Sequence, residues 1–127
     1  MKYKQMRSLK TKHILGLCLS FFIGQTSIAS DLSIEEKNSM IKEEIASVQV
    51  MQEICPSIIG QNSKFDQNLQ KLITDYLHDY SDKSMTYEQL KSDSEYTLAL
   101  KDARESAKDS TKEDNKSACN EVITLEM

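Results

Sequence analysis

An all-α bundle of four or five short helices is the fold class that this sequence predicts. Three observations lead there. Apolar residues recur three and four positions apart rather than two. Helix-capping patterns punctuate the chain at several points. Strand signals are few beside these helix signals.

The first thirty residues, MKYKQMRSLKTKHILGLCLSFFIGQTSIAS, stand apart from the rest. Lys2, Lys4, Arg7, Lys10 and Lys12 precede an apolar run from Ile14 to Ile23. That run is too short for a bilayer, which needs about 20 residues. Ser27 and Ala29 then supply the small-x-small spacing that a signal peptidase accepts, so residues 1–29 read as a secretory leader cut between Ala29 and Ser30. Cys18 lies inside the apolar run behind Leu17, where a lipoprotein signal requires a small residue, and reads as a small hydrophobe in a discarded leader. Residues 30–127 then form one helical domain with 11 basic and 20 acidic residues, a net charge of −9. A surface of that sign repels phosphate, which argues against nucleic-acid partners and anionic lipid. No later apolar run is long enough to insert in a membrane. The periplasm of a Gram-negative cell is the expected address, with secretion as the alternative.

Within that domain, Ser33-Ile-Glu-Glu36 reads as a capping box. The positions Ile41, Ile45, Val48, Met51 or Gln52, Cys55 and Ile58 make one stripe, with Lys42, Glu43 and Glu44 off it, so the first helix is expected over 34–55. Pro56 lacks an amide hydrogen and is expected to kink the helix or end it, with Gly60 closing any further turn. Ser63-Lys-Phe-Asp66 opens a second helix with Phe65, Leu69, Leu72, Ile73, Tyr76 and Tyr80 on its apolar face, ending near Tyr80. Thr86-Tyr-Glu-Gln89 caps a short helix carrying Tyr87 and Leu90. Ser92-Asp-Ser-Glu95 caps another, with Tyr96, Ala99, Leu100, Ala103 and Ala107 inward and Leu98 hard to place on that face. The run KDARESAKDSTKEDNK reads as a solvated face, with a break near Ser110-Thr111. A last helix is expected over 112–124, with Ala118, Cys119, Val122 and Ile123 apolar.

The inventory for chemistry is thin. No glycine-rich phosphate loop and no G-x-S-x-G elbow is present. After cleavage one histidine remains, and nothing in the sequence places it beside a thiol. The chain therefore reads as no enzyme and as needing no cofactor. In DYLHDYSD, Asp75, His78, Asp79 and Asp82 stand at i, i+3, i+4 and i+7, where one helix face would carry all four toward a divalent cation. The plainer reading is an exposed acidic helix end, since the tight Cys and His pairs of structural zinc sites are missing. Tyr76, Tyr80, Tyr87 and Tyr96 fit a core rim better than an aromatic ligand site. Cys55, before Pro56, could be a reactive thiol, a metal ligand or half of a bridge. It sits at a helix C-terminus, where the macrodipole disfavours a thiolate. Two cysteines on apolar stripes of an exported chain point to a structural disulfide, Cys55 to Cys119, joining the first and last helices.

The combination Glu44-Ile-Ala46, Val50, Glu53-Ile-Cys-Pro56 and Ile59-Gly60, with Phe65, Asp75-Tyr-Leu77 and Ala118-Cys119, resembles a family of small exported proteins of unknown function from Moraxellaceae-type Gram-negative bacteria. The resemblance covers residues 40–123 and implies export and a helical fold, with no activity and no site residues. Acid-stress periplasmic chaperones and some toxin-neutralising immunity proteins share the general design without sharing a motif. The expected function is thus a non-enzymatic periplasmic binding or protective protein, chaperone-like or inhibitor-like, acting on an envelope protein. The alternative is a small metal-binding protein or enzyme centred on His78 and its aspartates. Twenty carboxylates also mean that net charge turns positive as pH falls through about 4, where self-repulsion would expose apolar helix faces.

Overall fold

The first helix, α1, spans Ile34–Ile59 in the computed structural model of the protein, which describes residues 32–127. The leader, Cys18 and the Ala29–Ser30 cleavage point lie outside the described residues. Helix α1 starts directly after Ser33, and Glu35 and Glu36 place negative charge at the positive end of its dipole. It does not stop at Pro56 but runs on to Ile59. Pro56 deprives the Gln52 carbonyl of its usual donor, but Gln52 is exposed and water can take that place. Ser57 Oγ donates to the Ile54 carbonyl at 2.7 Å and ties down the final turn. Gly60 then adopts φ 79°, the left-handed conformation that ends the helix.

Helix α2, Ser63–Asp79, is capped by Asn62, whose side chain accepts from the Phe65 amide at 3.0 Å. It ends where the Tyr80 amide donates to the Leu77 carbonyl. Helix α3, Tyr87–Leu90, carries the expected capping box: the Thr86 hydroxyl accepts from the Gln89 amide, and the Gln89 side chain accepts from the Thr86 amide. Helix α4, Ser94–Asp109, is capped by Asp93, which accepts from the Tyr96 amide at 2.9 Å. Thr111 caps the last helix, α5, Lys112–Thr124. No strand occurs among the described residues.

Helix α1 is central and packs against α4, α2 and α5, and α2 packs on α5. Ion and hydrogen-bond partners give the directions. Asn38 meets Ser81 and Glu44 meets Tyr76, so α2 runs antiparallel to α1. Lys42 meets Asp93 and Glu95, and Glu53 meets Arg104, so α4 runs parallel to α1. The antiparallel α2 returns the chain between these parallel neighbours, and α3 with its flanking turns joins the end of α2 to the start of α4. The core combines Ile41, Ile45 and Val48 of α1 with Phe65, Leu69 and Ile73 of α2, together with Leu90, Tyr96 and Val122. Leu98 faces solvent, 63% exposed, away from the inward face of α4.

A single stripe does not describe α1. Lys42, Ala46 and Val50 are buried as well as the expected positions. Lys42, read as a solvated charge, is only 7% exposed. The reason is architectural: α4 covers a second face of α1, one helical step round from the first.

Cys55 and Cys119 form a disulfide with Cα atoms 5.6 Å apart, and both residues are fully buried. The bridge fastens α1 to α5. Asn68 of α2 adds a polar tie beside it, donating to the Val122 carbonyl at 2.7 Å and to the Leu125 carbonyl at 3.3 Å. The Val122 carbonyl also accepts from the amide of Leu125, the residue that caps α5, at 3.3 Å.

Candidate functional site

Beside the bridge, α1, α4 and α5 leave a recess of about 260 Å³. Val50, Met51 and Ile54 form one wall, Ala103 and Ala107 the opposite one, and Ala118 with the two half-cystines closes the end. Alanines on two of the three helices create this space, because they bring the backbones together without filling the volume between them. An adjoining recess of about 220 Å³ shares Val50, Ile54 and Ala107 and reaches Glu53, Arg104 and Lys108. Three of the four polar side chains at the larger recess, those other than Ser106, donate to backbone carbonyls. Ser47 Oγ donates to Glu43, Ser110 Oγ to Ser106 and Asn115 Nδ2 to Ala107. The bridged sulfurs are neither nucleophiles nor metal-ligating thiolates. The walls thus offer apolar contact and no group poised for proton transfer or attack.

A polar ladder runs along the α1–α4 contact. At one end the Lys42 ammonium lies 3.1 Å from Asp93 and 2.6 Å from Glu95. Burial pulls the Lys42 pKa down, but hydrogen bonds to Glu95 and Asp93 outweigh it and leave the group above the ordinary lysine value. The Tyr96 amide, helped by Lys42, holds Asp93 below the usual carboxylate range, and Lys42 with Ser39 does the same for Glu95. In the middle, Gln49 Oε1 accepts from the hydroxyls of both Tyr87 and Tyr96. Burial pushes the Tyr96 phenol well above its ordinary value. At the far end Gln49 Nε2 donates to Glu53, which also takes two hydrogen bonds from Arg104, at 2.7 and 2.9 Å. The Arg104 guanidinium holds the Glu53 carboxyl low.

The structure brings together Cys55 and Cys119 but does not bring Asp75, His78, Asp79 and Asp82 to one point. Asp75 pairs with Lys71 at 3.1 Å. Asp82 lies beyond the end of α2 and accepts from the amide and hydroxyl of Ser84. His78 is exposed, with Nδ1 3.8 Å from Asp79. The i+7 position needs a helix through residue 82, and α2 ends at Asp79. Among the described residues, no group of three or more His, Cys, Asp or Glu side chains is placed to hold a metal ion. Tyr80 and Tyr96 are core residues, and Tyr76 and Tyr87 pack at its edge. Lys42, Gln49, Glu53 and Arg104 have no signature in the sequence beyond the recurrence of polar residues at positions 42, 49 and 53 of one helix. No helix among the described residues is long and apolar enough to cross a membrane.

Residues 41–122 match the model of a protein family described as a domain of unknown function (DUF7944). No curated protein and no solved structure matches the chain.

Proposed function

We propose that this chain, which belongs to the family described as a domain of unknown function (DUF7944), is a non-enzymatic interaction or protective protein of the cell envelope. It works in the periplasm once its leader is removed, with secretion as the alternative. The observation that carries this reading is the buried Cys55–Cys119 bridge. Such bridges form and persist in oxidising compartments and are rare in the cytosol. The basic, briefly apolar N-terminus points the same way from an independent part of the chain. Both half-cystines are committed to the bridge, and Glu53, Asp93 and Glu95 to ion pairs with Arg104 and Lys42. The partner is an envelope protein, engaged in a chaperone-like or inhibitor-like way.

The test is photo-crosslinking in native cells from probes at the exposed positions Leu98 and Lys108, after fractionation. The expected result is protein in the periplasmic or secreted fraction and a discrete envelope protein captured from one of the two positions. Protein confined to the cytosol sinks the reading. So does a substrate turned over by the pure protein and lost in His78→Ala.

A further inference from the structure

We infer that α4 is an acid-releasable strap: in acid it parts from α1 while the disulfide keeps α5 fastened to α1, with α2 packed against both. The ties that hold α4 are of a different kind from those that hold its neighbours. Among the described residues, every ion pair between α1 and the α4 segment depends on a carboxylate: Lys42 with Asp93, Lys42 with Glu95, and Arg104 with Glu53. Asp93 does double duty, because it also caps α4 through the Tyr96 amide. Apolar anchoring is sparse. Tyr96 is the sole buried side chain within α4, and its other inward positions are mostly alanines that remain partly exposed. Helix α5, in contrast, is bonded covalently to α1 and capped by Asn68.

Acid therefore acts on α4 selectively. When the carboxylates take up protons, Lys42 and Arg104 keep their charge. The Lys42 ammonium is then buried without an anion, a costly arrangement that opening relieves. The other groups facing these pairs do not compensate. Lys42 also faces Tyr80, Glu53 faces the Gln49 amide, Gln49 faces the phenols of Tyr87 and Tyr96, and from α5 Asn115 reaches α4. All of these are neutral in acid. The direction follows from the native carboxyls being held low. Their stabilisation is complete above the unfolded values near 4 and is lost as pH falls through the native ones. The strap stays closed from neutrality down to about pH 5 and opens below about pH 4.

The test is hydrogen exchange by mass spectrometry on the purified, oxidised protein at pH 7 and pH 3, corrected for intrinsic rates. Protection over residues 94–109 is expected to fall about a hundredfold, against less than about threefold over 34–55 and 112–122. The variant Glu53→Gln/Asp93→Asn/Glu95→Gln is expected to show the acid pattern at pH 7, with asparagine preserving the cap. If that variant does not fold, Glu53→Gln alone is expected to move the opening midpoint to higher pH. Retained protection of 94–109 at pH 3, simultaneous loss across α1, α4 and α5, or an unmoved midpoint in Glu53→Gln overturns the inference.

Discussion

Removing Lys42 should cost far less than removing its two anions, although both perturbations delete the same ion pairs. The asymmetry comes from burial. The Lys42 side chain is 9% exposed, whereas those of Asp93 and Glu95 are 32% and 50% exposed. In Lys42→Met, both carboxylates regain water, and a side chain of similar length fills the buried site. The loss is then that of a partly exposed pair, up to about 1 kcal/mol. In Asp93→Asn/Glu95→Gln the cap is kept but the ammonium is stranded. Breaking a buried pair this way costs about 3–5 kcal/mol, and rotation of the lysine stem toward water reduces it to about 2–3 kcal/mol. The assay is urea unfolding at neutral pH followed by far-UV circular dichroism, with linear extrapolation. The triple variant Lys42→Met/Asp93→Asn/Glu95→Gln should recover most of the loss, since no charge is then stranded. If Lys42→Met proves as destabilising as the double variant, or the triple variant shows no recovery, the reasoning fails.

Three further outcomes follow from other parts of the bundle. Cys55→Ser, Cys119→Ser and the double variant should each lower unfolding stability by a similar amount, about 4 kcal/mol from loop entropy across the separation of 64 residues, because each removes one and the same bond. Gly60→Ala should cost about 1 kcal/mol in thermal unfolding, entirely from the backbone, since an added Cβ meets nothing within 4 Å. Asn68→Ala should cost about 1 kcal/mol and fray the C-terminal turn of α5 in hydrogen exchange, by removing the shorter of the two hydrogen bonds to the Val122 carbonyl, which keeps the Leu125 amide as a donor.

What could be read from the sequence was local. The cap at Thr86, the break near Ser110-Thr111, the apolar faces of α2 and α5, and the pairing of two cysteines on apolar stripes all depend on residues within a few turns of one another, or on there being only one partner. The boundaries that shifted did so for equally local reasons. Of the two outcomes that Pro56 allows, a kink or an end, the helix does not end there: α1 passes through it, because the carbonyl it orphans belongs to exposed Gln52 and Ser57 secures the next turn. Asp93 rather than Ser92 caps α4, whereas α2 does open at Ser63. What could not be read was the second face of α1. Lys42, Gln49 and Glu53 look like solvent-facing residues until α4 is laid parallel to them, and their partners lie about fifty positions away. Arg104 sits in a run of mixed charge that reads as a wet surface, and no local pattern distinguishes it from Lys101 or Lys108. The aspartates near His78 failed to converge for a reason also invisible to spacing alone: the helix ends before the fourth of them.

The claim that most of this account rests on is an exported bundle closed by one bridge. Intact-mass measurement of the protein, released from the periplasm or collected from the medium without reductant, tests it most directly. The predicted result is a chain beginning at Ser30 and lighter by two hydrogens than its reduced form, with no thiol titrating after unfolding. A full-length chain of 127 residues in the soluble cytosolic fraction, or two free thiols in the exported one, would contradict it.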